Sequence, residues 1–321
     1  MTSTPASSPD ASTALPPPGS SPPAPAGSGS SPDAALLDQV RAWYDADPAR
    51  EWNRTLSGPY HRLEAEVIHR AILPSLLGPA SRVLDIGCGP GRHALEVAAR
   101  GHFVFLADIS PACIADACRR LAAAGLGRQL IGWQVCSAPD LDVPAGGFDL
   151  ALLYGPLYHL PGDGTPRAAV GRAASALRPG GHLSAVFLTR TSVIRDLLKR
   201  GRFTEALRLL ETDYLSHGLY VPQSARSRAD YMPSAATRTL AAAVSLIRGA
   251  GLDITDVRSL EGPAAWMRPY IDQAAASPGA FEQLSEIVRA TSGLPELIES
   301  GDHFAVTARK PPARGQEEPC R

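Results

Sequence analysis

No run in this 321-residue chain approaches the roughly 18 consecutive apolar residues that cross a bilayer, so no membrane association is expected. An excess of either charge is also missing: 31 Lys and Arg stand against 32 Asp and Glu, a formal net charge of −1. That balance supplies no general pull toward a phosphate backbone, and the aromatics are not interleaved with cations as in single-strand binders. No nucleic acid partner is expected. Cysteine is scarce. The five present (Cys88, Cys113, Cys118, Cys136 and Cys320) show no paired ligand spacing, and two of them five apart on one helix are not a zinc pattern. No metal site is expected, and the thiols read as small apolar residues in a reducing cytoplasm.

Residues 1–32 hold nine prolines, nine serines and one charged side chain, Asp10, with no apolar run long enough for a signal peptide. Such a segment cannot bury enough surface to offset its ordering entropy, so disorder is expected there and again over 313–321. Between them, residues 33–312 have room for one large domain, and a hydrophobic content of 44% supports a real core.

The most informative feature is the run Val83-Leu84-Asp85-Ile86-Gly87-Cys88-Gly89-Pro90-Gly91. It reads as a buried strand (82–86) that ends near an acid and turns through three glycines into a helix (92–100). The glycines let a ligand approach a backbone without Cβ atoms. A second strand, 102–107, leads to Asp108, 21 residues after Gly87, where a carboxylate can take both hydroxyls of a ribose. This unit implies a nucleoside-containing cofactor. A dinucleotide fingerprint wants G-x-G-x-x-G/A, but Arg92 occupies the third small position. Asp85 would repel a pyrophosphate and attract the amino group and sulfonium of S-adenosylmethionine (SAM).

Alternation continues. Ser110 is an N-cap for a helix carrying Ile114, Cys118 and Leu121; strands are expected over 130–135, 148–153 and 182–189, with a helix over 165–177. A helix over 34–46 and another carrying Leu63, Val67, Ile72 and Leu76 precede the first strand. The pattern breaks over 190–230, with helices at 192–199 and 204–211 and six cations between Arg190 and Arg208. Those cations read as a solvated helix face, with a basic patch for an anionic substrate as the alternative. Ser234 is expected to cap the next helix; a strand at 253–260 and a last one at 303–308 follow. The whole reads as a doubly wound α/β, Rossmann-like fold.

The run V-L-D-I-G-C-G-P-G-R resembles motif I of the class I SAM-dependent methyltransferases. A-D-I-S-P at 107–111, G-F-D-L at 147–150 and L-R-P-G-G at 177–181 are similar to three further landmarks of that class, in order. Beyond these, Tyr44-Asp45, Glu51-Trp52, Arg54 and Leu63-Glu64 resemble the N-terminal lid of a bacterial family of small methyltransferases. Gly155-Pro156-Leu157-Tyr158-His159-Leu160, Glu261-Gly262-Pro263 and the A-R-K-P run at 308–311 fit that family as well. The resemblance implies a seven-stranded, mostly parallel sheet with the last strand antiparallel, an N-terminal helical lid over 34–60, a helical insertion or cap over 190–230 between strands five and six, and SAM as cofactor.

By that resemblance Asp85 favours the amino end of SAM; Gly87, Gly89 and Gly91 allow close approach; Asp108 takes the ribose. Ile109, Ser137 and Ala138 frame the adenine, with Ser137 where the family usually has an acid. Leu153 and Tyr154 stand near the sulfonium, and Tyr44 and Arg54 reach for the carboxylate. Tyr158 and His159 follow strand four, where ligands sit in open sheets, and are the catalytic candidates. A histidine can accept a proton from a hydroxyl or amine nucleophile. The leading function is methyl transfer to a small-molecule acceptor. Methylation of a peptide, protein or RNA, a non-catalytic SAM-binding protein and a NAD-dependent oxidoreductase stay open.

Overall fold

The computed structural model describes residues 32–160, 162–222 and 234–313. The expectations for 1–31, for 314–321 and for the end of the insertion, 223–233, fall outside those residues. Strands β1 (Arg82–Ile86), β2 (Phe103–Asp108), β3 (Leu130–Val135), β4 (Phe148–Leu153) and β5 (Leu177–Leu188) are parallel neighbours; β8 (Asp253–Ser259) and β9 (His303–Arg309) complete the sheet. The order is β3-β2-β1-β4-β5-β9-β8, with β9 antiparallel to both neighbours. The reversal between β1 and β4 leaves a crevice at their carboxyl ends, the usual ligand position in such sheets.

Helices cover both faces. α3 (Pro59–Val67), α5 (Arg92–Ala99) and α6 (Pro111–Ala123) pack on one side around Leu63, Val97 and Leu121. On the other, α7 (Gly164–Ala176) and the helix Leu240–Arg248 pack around Val170, Ala173 and Ile247. Two helices precede α3, namely α1 (Pro32–Ala46) and α2 (Pro48–Ser57). Between β5 and β8 lie α8 (Ser192–Lys199), α9 (Phe203–Leu210) and a short antiparallel pair, β6 (Leu219–Tyr220) with β7 (Ala235–Ala236).

Several boundaries differ from the sequence pattern for identifiable reasons. β5 starts at Leu177 rather than 182 because Leu177 already pairs with Phe148; the register then jumps to His182 opposite Leu150 as Pro179-Gly180-Gly181 loops out, with Gly180 at φ +77°. After α3 the helix widens into a π turn, Ile68–Ile72, where the Leu73 amide reaches back to the Ile68 carbonyl. Pro74 has no N–H for the next helical bond, and the wider turn removes the clash its ring would make. Ser234 does not cap the following helix. Thr239 does, accepting from the Ala242 amide, and Ser234 lies buried ahead of β7. The 190–208 cations form neither an open anion patch nor a solvated face alone: Arg195 is 2% exposed and, with Lys199, holds Asp302 at 2.6 and 2.7 Å.

Gly91 shows how tightly the first βα unit is built. It has φ +86°, and a Cβ there would stand 2.8 Å from the Ala117 Cβ. Gly91→Ala is expected to lower the stability read from urea unfolding by about 1–3 kcal/mol, through overlap of α5 with α6.

Candidate active site

β1 runs into Gly87-Cys88-Gly89-Pro90-Gly91, and the first two amides of this loop donate to the Ala107 carbonyl at 2.7 and 3.1 Å. The three glycines have different causes. Gly87 (φ +73°) lies under Pro156, whose Cδ would be 2.6 Å from an added Cβ. Gly91 serves helix packing. Only Gly89, φ +52°, is open on its Cβ side, with Glu51 Cγ at 3.9 Å the nearest atom there. Gly89 therefore keeps the loop bare where it faces a cavity with about 1220 Å³ of empty volume, its open mouth included.

Asp108 lies at the edge of this cavity, accepting from the Gly89 amide through Oδ2 and from the Ser110 amide through Oδ1, both at 2.8 Å. Each oxygen keeps a lone pair, so the carboxylate is oriented and still able to accept. Burial pushes its pKa up, against the pull of those two amides, to about 6. Asp85 is deeper, 1% exposed, and does not line the cavity; neither oxygen has a hydrogen-bond partner. The Ala94 amide favours its charge without bonding to it. Burial, and then the nearby Asp108 carboxylate, push it up to about 7. An orphaned buried carboxylate under a bare glycine loop suits a cationic ligand and would disfavour a pyrophosphate.

The cavity is also lined by Ile109, Cys136, Ser137 and Ala138, and by Leu37 and Val40 of α1. The Ser137 hydroxyl is buried without a partner, a second open polar site suited to an amino group. Ser137→Asp is expected to tighten SAM binding in titration calorimetry, because a charged acceptor bonds an amino group more strongly than a hydroxyl does. Unchanged or weaker binding would remove Ser137 from the adenine subsite. Tyr154 also lines the cavity, with its hydroxyl donating to Ser184 Oγ at 2.7 Å, whereas Leu153 points into the core beneath.

Of the lid pair Tyr44-Asp45, Tyr44 lines the cavity and Asp45 does not. Asp45 accepts from Ser110 Oγ at 2.5 Å and so fastens α1 to the start of α6. Tyr44 Oη lies 2.9 Å from His159 Nε2, while His159 Nδ1 lies 3.2 Å from the Ser234 carbonyl. A carbonyl can only accept, so Nδ1 carries the proton, Tyr44 donates, and Nε2 is a lone pair facing the cavity. Burial lowers the imidazole to about 4 despite that carbonyl. His159 is thus neutral at physiological pH. Tyr158 packs edge-on against it, ring centroids 4.9 Å apart. Arg54 pairs with Glu51 through three contacts of 2.6–3.1 Å.

Five cavity or near-cavity groups had no site role assigned from the sequence: His61, Glu64, His93, Glu261 and His303. His61 Nδ1 lies 2.8 Å from Glu64 Oε1 and 3.1 Å from the Arg54 guanidinium, and His303 Nδ1 donates to Glu261 at 2.8 Å. Glu64, Glu261 and His303 place one ligand-type atom each within 4.8 Å of one another. His93 Nδ1 is 3.0 Å from His69 Nε2. The Leu63-Glu64 and Glu261-Gly262-Pro263 landmarks contain two of these residues, but nothing local says that 64, 261 and 303 meet.

A family model described as a methyltransferase domain matches residues 83–181. A ubiquinone biosynthesis O-methyltransferase of Xanthomonas axonopodis pv. citri is 31% identical over 229 residues, 71% of this chain and 81% of its own length. A tRNA 5-carboxymethoxyuridine methyltransferase of Escherichia coli is 28% identical over 246 residues, 74% of this chain and 84% of its own. In fold, the chain resembles the crystal structure of Burkholderia thailandensis 1,6-didemethyltoxoflavin-N1-methyltransferase with bound 1,6-didemethyltoxoflavin and S-adenosylhomocysteine: TM-score 0.53, 19% identity, 90% of this chain and 94% of that one.

Proposed function

Because this chain belongs to the class I SAM-dependent methyltransferases, we propose that it methylates a hydroxyl or amine of a small molecule, with His159 receiving the proton. The donor, when bound, supplies a methyl carbon made electrophilic by a cationic sulfur, so nothing covalent is asked of the protein. The residues then divide the work. Gly89 leaves space for the donor, Asp85 favours its positive charge, Asp108 orients the ribose, and Ser137 with Ala138 and Ile109 frames the adenine. α1 and α2 act as the lid and, with the cap that follows β5, exclude water. Holding a nucleophile in line can lower a barrier by roughly 7–11 kcal/mol.

The observation that carries this reading is the His159 tautomer. A neutral imidazole fixed by the Ser234 carbonyl, with its Nε2 lone pair already accepting from the Tyr44 hydroxyl, is set to accept the proton of an attacking O–H or N–H. The Tyr44 hydroxyl occupies the position that an acceptor's hydroxyl would take. Release of S-adenosylhomocysteine on incubation with a cell metabolite extract tests the proposal. It should persist after nuclease and after protease. Loss with nuclease would favour the RNA reading suggested by the E. coli relative, loss with protease a protein acceptor, and no release from any extract a non-catalytic role.

A further inference from the structure

The E-G-P motif and the start of β9 build a station on the cavity wall that proton removal by His159 does not use. Glu261 is fully buried, and both of its oxygens accept from the His303 backbone amide at 3.1 Å. A Cβ at Gly301 would collide with Glu261 Oε2, so this glycine gives the carboxylate its place. Glu261 then takes His303 Nδ1 at 2.8 Å, and Glu64 stands 3.6 Å from the same nitrogen. Burial alone would lower the imidazole, but the Glu64 and Glu261 carboxylates outweigh it and hold His303 at about 9. His303 lines the cavity, and Nε2 is the ring nitrogen left for a ligand.

Two cavity imidazoles therefore differ in protonation at neutral pH. His159 offers a lone pair, and His303 a charged N–H. The Tyr158 ring touches both, with centroids 4.9 Å from His159 and 6.4 Å from His303. Charge on this wall narrows the ligand further. Immediately around His303 two carboxylates, Glu261 at 2.8 Å and Glu64 at 3.6 Å, face one imidazolium, while the neighbouring Asp302 is matched by Arg195 and Lys199. An anionic oxygen would meet excess negative charge there; a neutral carbonyl oxygen would not.

We propose that His303, positioned by Glu261 and Glu64, is an acceptor-binding residue that donates to a neutral carbonyl oxygen of the acceptor, so that the substrate is a planar hydroxy- or amino-carbonyl compound held between His159 and His303 over Tyr158. This rests on the methyltransferase reading above. A good charge-assisted hydrogen bond to a buried oxygen discriminates strongly against an analogue lacking that oxygen.

The test uses the full chain, labelled with 13C at histidine Cε1 and saturated with S-adenosylhomocysteine, titrated with 4-hydroxyacetophenone, 4-ethylphenol and 4-hydroxybenzoate. The ketone should shift the His159 and His303 resonances together and bind at least ~10-fold more tightly than 4-ethylphenol, and the carboxylate should gain nothing over 4-ethylphenol. His303→Leu should bind the ketone and the ethyl compound equally. An unmoved His303 resonance, equal binding of the ketone and ethyl compounds by the wild type, or a preference for the carboxylate would overturn the proposal. Where His303→Leu does not fold, the wild-type titration decides alone. Failure to bind S-adenosylhomocysteine at all would instead overturn the cofactor site on which the reading rests.

Discussion

Asp85→Asn is expected to weaken SAM binding at pH 8 by about 100-fold or more and, at the same pH, to raise the unfolding temperature. Both effects come from one buried carboxylate without a hydrogen-bond partner. Ionised, it attracts a cationic ligand through a low-dielectric interior, where an attraction of about 3 kcal/mol corresponds to that loss. The same charge opposes folding. Its folded pKa, about 7, is raised by burial above its ordinary value, so the folded chain holds this proton over a range in which the unfolded chain has released it. The associated stability is complete below about pH 4, declines as pH rises, and is gone above about 7. A shift of this size corresponds to at most about 4 kcal/mol. The asparagine variant should therefore gain several degrees in Tm at pH 8 and little at pH 4.5. Wild-type SAM affinity should fall with decreasing pH below about 7, and more steeply below about 6, where Asp108 also takes up a proton. Calorimetric titrations at pH 5.5, 6.5 and 8, and thermal unfolding at pH 4.5 and 8, on both proteins check these outcomes; undiminished SAM binding by the variant at pH 8 would sink the role given to Asp85.

His159→Ala is expected to reduce turnover at least ~100-fold while SAM binding stays within a few-fold of wild type. The imidazole's hydrogen bonds go to Tyr44 and Ser234, outside the glycine loop and the adenine end, so proton removal should suffer most. Its pKa of about 4 means that the required lone pair is present throughout the neutral range. Activity should therefore be flat from pH 5 to 8 as far as this group is concerned, and fall only as pH approaches 4. A base of that strength suffices because the nucleophile's proton becomes strongly acidic as its bond to carbon forms. Tyr44→Phe leaves the lone pair in place and removes only the hydroxyl over it, so it should cost far less than the alanine change at His159. Near-normal turnover of His159→Ala, or an acid limb in kcat at saturating SAM near the ordinary histidine pKa of about 6.5, would remove His159 from the reaction.

The sheet was legible for a simple reason: parallel strands buried on both faces are short apolar runs bounded by turns, as in Val83 to Ile86 and Leu150 to Leu153. β1, β3 and β4 match the pattern to the residue. Mistaken features depended on contacts made elsewhere. The early start of β5 needs Phe148 as a partner, and the π turn at 68–72 answers to Pro74. Ser234 looks like a cap but gives its carbonyl to His159, 75 residues away. Cap chemistry alone cannot tell Ser234 from Thr239, since either hydroxyl can accept from a helix amide.

By itself the sequence determined the strand–glycine–helix–acid unit, the cofactor it suits and the carboxylate at Asp108, because each is set by residues within one βαβ unit. Tertiary structure alone decided which glycine opens on the cavity, which nitrogen of His159 carries its proton, and that Glu64, Glu261 and His303 share a wall. Those depend on Pro156, Ala117, Ser234 and Gly301, which reach the site from different elements. Hydrogen bonds and charges act over a few ångströms of space, and distance along the chain does not record who comes that close.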